Sequence, residues 1–153
     1  MSTLQVIEGC FVTASSGCHR YDYWNEQALF DGRTDSGWCT PSRTRPREEF
    51  LEVDLGGRRR PARIRLQARP IEDWPGFPRE LRVLARPQGG GDEWLTVLHA
   101  KDVTAGAGEW WECDLEPVAT SSLRIEVAEV GLRANGAYFL QFMQLEVLEG
   151  AGR

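Results

Sequence analysis

The chain has 153 residues, of which 41% are hydrophobic and 10% aromatic. This is enough to bury a core, and we expect one domain over residues 1–153 with its core at about 10–149. A net charge of −5 argues against nucleic-acid binding, and no apolar run approaches the roughly 18 residues of a membrane-spanning helix.

The first segment, residues 1–7, has neither a basic start nor an apolar stretch, so it does not resemble a signal peptide. We therefore expect a cytoplasmic protein, or a secreted one if a signal has been removed. The chain has four cysteines without the paired spacing of a zinc site, at Cys10, Cys18, Cys39 and Cys113. In the cytoplasm these would be buried or free thiols, whereas a secreted protein would favour two disulfides.

Alternation of apolar and polar residues predicts strands from about residue 51 to the end of the chain. Turn signals rich in glycine and proline separate these segments, and no window predicts a long capped helix. The pattern indicates an all-β fold, an antiparallel β-sandwich of two packed sheets. The alternating apolar positions are Leu51, Val53 and Leu55; Ile64 and Leu66; Leu81 and Val83; Leu123, Ile125 and Val127; and Met143, Leu145 and Val147.

Arginine is concentrated in residues 43–69, which hold nine arginines against four acidic residues. One interpretation is a solvated basic face, and the other is a surface for an anionic ligand near the loops. The sequence leaves both open.

A series of motifs runs in order along the chain. They are VTASS at 12–16, ALFDG at 28–32 followed by Ser36 and Trp38, FLEVDLG at 50–56, FPRELRV at 77–83, Trp94, LRI at 123–125 and MQLEVL at 143–148. Together they resemble the discoidin, or coagulation factor V/VIII type C, family of galactose-binding-like jelly rolls. The resemblance implies a jelly-roll sandwich over nearly the whole chain.

Three residue-level expectations accompany this resemblance. Trp38 and Trp94 are large enough to anchor the sandwich core. Gly32 should permit the positive φ of a tight turn after Asp31. Arg124 should point away from its apolar neighbours and be exposed or paired.

The resemblance also implies a possible structural Ca²⁺ site, since many sugar-binding relatives hold the ion between the Asp-Gly loop and the closing strand. Carried over, the ligands are the Ala28 carbonyl, Asp31, the Arg33 carbonyl, Ser36, the Met143 carbonyl and Gln144. Relatives that bind calcium usually have Thr and Glu where this chain has Ser36 and Gln144. Because calcium favours carboxylates, the site should be weakened, and the alternative is a metal-free loop.

Discoidin domains bind ligands through loops at one end of the sandwich, and aromatic and basic residues populate those loops here. Aromatic faces stack on sugar rings, while Arg and His donate hydrogen bonds to hydroxyls. The absence of the Asn that usually follows Arg69 in galactose-binding relatives puts galactose itself in doubt. The predicted ligand-binding residues are His19, Arg20, Tyr21, Tyr23, Trp24, Arg43, Arg69, Asp73, Trp74 and Phe139. The alternatives are core positions for the aromatics and solvated charges for the arginines.

The sequence shows no nucleophile elbow, paired metal histidines or phosphate-binding glycine loop, so we predict no enzyme activity. The resemblance implies a non-catalytic, lectin-like module that binds a glycan. The first alternative is an intracellular protein-interaction subunit, whose partner would be a protein. The second is a small-molecule-binding or biosynthetic enzyme on the same scaffold. Membrane binding is disfavoured because the loops are rich in arginine rather than in apolar tips.

Overall fold

The computed structural model describes residues 3–19, 24–33, 35–87, 91–129 and 136–151. Within these ranges no helix is long and apolar enough to cross a membrane. One 3-10 helix, Glu26–Phe30, accompanies strands throughout the described chain. The strands are β1 Leu4–Val6, β2 Phe11–Ser15, β3 Trp38–Cys39, β4 Glu49–Arg59, β5 Pro61–Gln67, β6 Glu80–Pro87, β7 Leu95–Ala100, β8 Trp110–Asp114, β9 Thr120–Glu129, β10 Gln141–Phe142 and β11 Gln144–Gly150.

The strands form a five-stranded sheet in the order β2-β4-β9-β6-β7 and a four-stranded sheet in the order β1-β11-β5-β8. A two-stranded sheet joins β10 to β3. Neighbouring strands are antiparallel in all three sheets. The predicted all-β, antiparallel jelly-roll sandwich is therefore confirmed.

The core lies between the two larger sheets because each sheet buries its alternating apolar face. Leu51, Val53 and Leu55 of β4 are almost fully buried, as are Ile64 and Leu66 of β5. Burying one such aliphatic side chain contributes about 1.5–3 kcal/mol. The alternation in the sequence therefore identified the inward face of both sheets correctly.

The two tryptophans predicted to anchor the core have different positions. Trp38 is fully buried and packs edge-on against Phe142, with 5.7 Å between ring centroids. Trp94 is half-buried and lies outside the core, next to the start of β7, with the Arg86 guanidinium 4.6 Å from its ring centroid. The prediction is confirmed for Trp38 and wrong for Trp94, whose half-buried ring packs against a half-buried arginine outside the core.

The remaining residue-level expectations are confirmed. Gly32 has a φ of +74° in the turn after the 3-10 helix. Arg124 is paired with Glu52 and Glu126 across the outer face of the five-stranded sheet. All four cysteines are free thiols.

Hydrogen bonds bring four separate segments together at one end of the sandwich. The Thr40 amide donates to the Leu140 carbonyl, which ties β3 to the segment before β10. The backbone amide of Gln141 donates to the Gly76 carbonyl, and this bond attaches the segment that follows β5 to β10. The His19 amide donates to the Cys39 carbonyl and brings in the segment after β2. This end of the sandwich carries the candidate site.

Candidate ligand-binding site

A cavity of about 270 Å³ opens where these four segments meet, and we call it the Arg69 cavity. Its lining residues are His19, Trp24, Cys39, Ser42, Arg69, Trp74, Phe139 and Gln141. Five of them were predicted as ligand-binding residues, whereas Cys39, Ser42 and Gln141 were not. Residues distant in sequence are thus assembled around one concave surface, which is the usual form of a small-ligand site.

The Arg69 guanidinium packs over two indole rings in this cavity. Its guanidinium carbon is 4.5 Å from the Trp74 ring centroid and 5.0 Å from that of Trp24. A cation over an aromatic face contributes roughly 0.5–2 kcal/mol, with the larger value for desolvated pairs. Arg69 therefore contacts both rings and places a positive charge beside them.

Gln141 holds Arg69 and Trp74 in place through hydrogen bonds. Its side-chain oxygen accepts hydrogen bonds from Arg69 Nη1 at 3.1 Å and from the Trp74 indole nitrogen at 2.6 Å. The residue is only 3% exposed. Its signal in the sequence is a polar residue inside the apolar run 138–143, which a pattern of period two does not reveal.

Phe139 forms a buried wall of the Arg69 cavity. Its ring packs edge-on against Trp74, with centroids 5.6 Å apart. Gly76 faces the same ring so closely that a Cβ there would lie 2.6 Å from Phe139 Cε2. Phe139 is thus both buried and part of the cavity lining, so the two interpretations given for it from the sequence are compatible.

The other predicted ligand-binding residues have different positions. His19 is exposed at the rim of the Arg69 cavity. Asp73 has a φ of +55° and lines a second cavity of about 250 Å³, which shares Arg69 and Trp74 with the first. Arg20, Tyr21 and Tyr23 lie outside the described residues.

Arg43 does not line the Arg69 cavity. Its guanidinium donates to both carboxylate oxygens of Glu49, each at 3.1 Å, and to the Ser16 carbonyl at 2.9 Å. The Glu49 side chain is fully buried, so Arg43 neutralises a carboxylate that has no access to water. Backbone hydrogen bonds in both directions also join Arg43 to Tyr138. Arg43 therefore has a structural role, which the sequence did not predict.

The candidate calcium ligands are grouped at the start of β11, but their donor set does not fit the ion. Gln144 directs its amide nitrogen, rather than an oxygen, towards Ala28, Asp31 and Met143. Calcium binds six to eight oxygens and is not bound by an N–H donor. The described residues also contain no group of three or more His, Cys, Asp or Glu side chains that could hold a metal.

Comparison with protein families places most of the chain in one group. The model of the F5/8 type C domain matches residues 11–144. No curated protein matches the chain in sequence.

Solved structures share the fold at low sequence identity. CpGH89CBM32-5 from Clostridium perfringens, in complex with GalNAc-β-1,3-galactose, has a TM-score of 0.70 and 11% identity, covering 94% of this chain and 99% of that one. The family 32 carbohydrate-binding module of NanJ from the same species, in complex with galactose, has a TM-score of 0.70 and 16% identity, covering 96% and 100%. The C-terminal domain of a chitobiase from Bacteroides fragilis has a TM-score of 0.74 and 12% identity, covering 97% and 98%.

Proposed function

Since this chain belongs to the F5/8 type C domain family, we propose that it is a non-catalytic carbohydrate-binding module that holds a glycan in the Arg69 cavity. The observation that carries the proposal is the contact of Arg69 with the rings of both Trp24 and Trp74 at a concave surface. Two solved relatives of the fold are complexes with galactose-containing ligands, which supports the choice of ligand class.

The chemistry of a sugar matches this lining. One face of a pyranose ring presents C–H groups that pack on an indole, and its edge presents hydroxyls that accept and donate hydrogen bonds. Trp24 and Trp74 provide the aromatic surface. Arg69 and His19 provide N–H donors beside it. Arg69 and Trp74 are held by Gln141 before any ligand arrives, so little ordering is required on binding.

The lining also favours binding over hydrolysis. Glycosidases generally use a pair of carboxyl groups that flank the scissile bond. None of the described residues that line the Arg69 cavity is Asp or Glu. The one thiol in the lining, that of Cys39, is buried and donates to the Thr40 carbonyl.

A glycan array followed by calorimetric titration of the best ligand tests the proposal. The Trp24→Ala variant should bind at least about tenfold more weakly, because loss of a central aromatic contact costs more than 1.4 kcal/mol. Its melting temperature should be recorded in parallel, so that loss of binding is separated from loss of folding.

Trp94→Ala is the matched control, because Trp94 also carries an arginine over its ring but lies outside the Arg69 cavity. This variant should bind as the unmodified protein does. The proposal fails if no glycan binds at millimolar concentration, or if Trp94→Ala weakens binding as much as Trp24→Ala.

A further inference from the structure

The side chain of Gln144 lies at the start of β11, next to the loop that holds Asp31, Gly32, Arg33 and Ser36. It is 6% exposed. Its amide nitrogen faces three oxygen atoms, each at hydrogen-bond distance. These are the Ala28 carbonyl at 2.7 Å, the Met143 carbonyl at 2.8 Å and Asp31 Oδ1 at 2.9 Å.

The opposite end of the same amide fixes its orientation. Gln144 Oε1 accepts a hydrogen bond from the Gly32 amide at 3.0 Å. A reversed amide would point its oxygen at three acceptors and its nitrogen at a donor, and all of these contacts would be repulsive. The nitrogen therefore lies among the three oxygens because the surrounding chemistry requires it.

Two carbonyls and a carboxylate that converge on one point form the kind of oxygen cluster that a hard cation occupies. Here the two hydrogens of a neutral carboxamide point into that cluster. We propose that the Gln144 amide nitrogen takes the place of a structural cation, which makes the domain independent of calcium. The same geometry implies that Gln144→Glu would turn the cluster into a calcium site.

The Asp31 carboxylate already accepts hydrogen bonds from several protein donors, as this proposal requires. Besides Gln144, its Oδ1 accepts from the Arg33 amide at 2.8 Å. Its Oδ2 accepts from the Ser36 hydroxyl at 2.7 Å. A calcium ion needs its oxygens at about 2.3–2.6 Å, so it would have to displace the buried amide nitrogen and lose those hydrogen bonds. Binding calcium would therefore add little stability to the unmodified loop.

Gln144→Glu should make calcium binding favourable at this site. The substitution removes the two N–H donors and places a second carboxylate against Asp31, so like charges repel when no metal is present. With calcium, the two carboxylates and the carbonyls of Ala28 and Met143 provide anionic and neutral oxygens at one point. Stability of the variant should therefore depend on calcium.

Melting temperatures measured in a chelator and in millimolar calcium chloride test the proposal. The unmodified protein should melt at the same temperature in both. Gln144→Glu should melt several degrees lower in the chelator and recover when calcium is added, with a dependence that saturates. Gln5→Glu makes the same charge change at an exposed position on β1 and should not respond to calcium.

Calorimetric titration of calcium into the unmodified protein provides a second measurement that does not depend on the stability of the variant. We expect no saturable heat of calcium binding. Saturable binding to the unmodified protein would overturn the proposal, because the amide would then not exclude the ion. A Gln144→Glu protein that gains no stability from calcium, or that does not fold in its presence, would also overturn it.

Discussion

Arg69 stacks on Trp74 and Trp24 while it donates to Gln141, and this combination requires a planar group with several donors. Lysine keeps the charge but lacks the planar fork of guanidinium N–H groups. Arg69→Lys should therefore weaken glycan binding by about tenfold or more, with a small effect on the melting temperature. Titration calorimetry measures the effect. Unchanged affinity would show that only the charge at this position matters.

Gly76 is required by the close approach of Phe139. A Cβ at residue 76 would lie 2.6 Å from the Phe139 ring and 3.1 Å from Gln141 Cβ. Gly76→Ala should displace this wall of the Arg69 cavity, lowering both glycan affinity and the free energy of unfolding, the latter by about 1–3 kcal/mol. Gly150→Ala, where a Cβ meets nothing within 4 Å, is the control and should be neutral. Equal effects in the two variants would contradict the contact described here.

The buried thiol of Cys10 should make the stability of the protein depend on pH in alkaline solution. Burial raises the pKa of its thiol from 9.0 to about 11. The folded protein therefore keeps this proton while the unfolded chain releases it, so the contribution of Cys10 to stability is lost as the pH rises from 9 to 11. Denaturant unfolding across this range should show a steeper loss of stability for the unmodified protein than for Cys10→Ala. Parallel profiles would contradict the burial of the thiol.

At the scale of elements, the Arg43–Glu49 pair joins the start of β4 to the segment after β3. Removing one partner leaves a buried charge without compensation, which costs about 3–5 kcal/mol. Arg43→Ala should lower the free energy of unfolding by that order, as measured with denaturant. Arg63→Ala removes an arginine from exposed ion pairs with Asp114 and Glu112, and should cost less than about 1 kcal/mol. Similar losses in both variants would argue against the structural role of Arg43.

Strands β4, β5, β6, β9 and β11 were predictable because each has a buried face, and alternation with period two reports that face directly. Strands β7 and β8 lack this regular alternation in burial and were not predicted. Within the described chain, β1, β3 and β10 have only two or three residues each, which is too short for a pattern to appear. The pairing of strands also depends on contacts between distant segments. The resemblance to a family, rather than alternation, indicated the jelly-roll arrangement.

The candidate site was partly predictable for a similar reason. Residue type identified Trp24, Arg69 and Trp74, since stacking and charge depend on the side chain alone. It missed Gln141, whose partners are 67 and 72 positions away in the chain. It placed Trp94 in the core because size favours burial, whereas the position next to the start of β7 leaves that ring on the surface.

At the scale of the whole molecule, the structure accounts for much of the arginine-rich stretch. On β5, Arg63 pairs with Asp114 and Glu112, and Arg65 pairs with Glu146 and Glu112, all on the strands next to β5. Arg59 at the end of β4 pairs with Glu149 of the other large sheet. Such exposed pairs contribute little to stability, but each neutralises a positive charge. The arginines of β5 therefore do not give the four-stranded sheet an uncompensated positive outer face.

The proposed function requires that the domain binds a glycan at one end of the sandwich, through Trp24, Trp74 and Arg69. The chain contains six tryptophans, so the indole N–H signals of a nitrogen-15 labelled sample report separately on the cavity, the core and the sheet surface. Single substitutions assign each signal. Titration with the best glycan should shift the signals of Trp24 and Trp74 and leave those of Trp38, Trp94, Trp110 and Trp111 in place. Saturable shifts at Trp94, Trp110 or Trp111 with none at Trp24 and Trp74 would contradict the account.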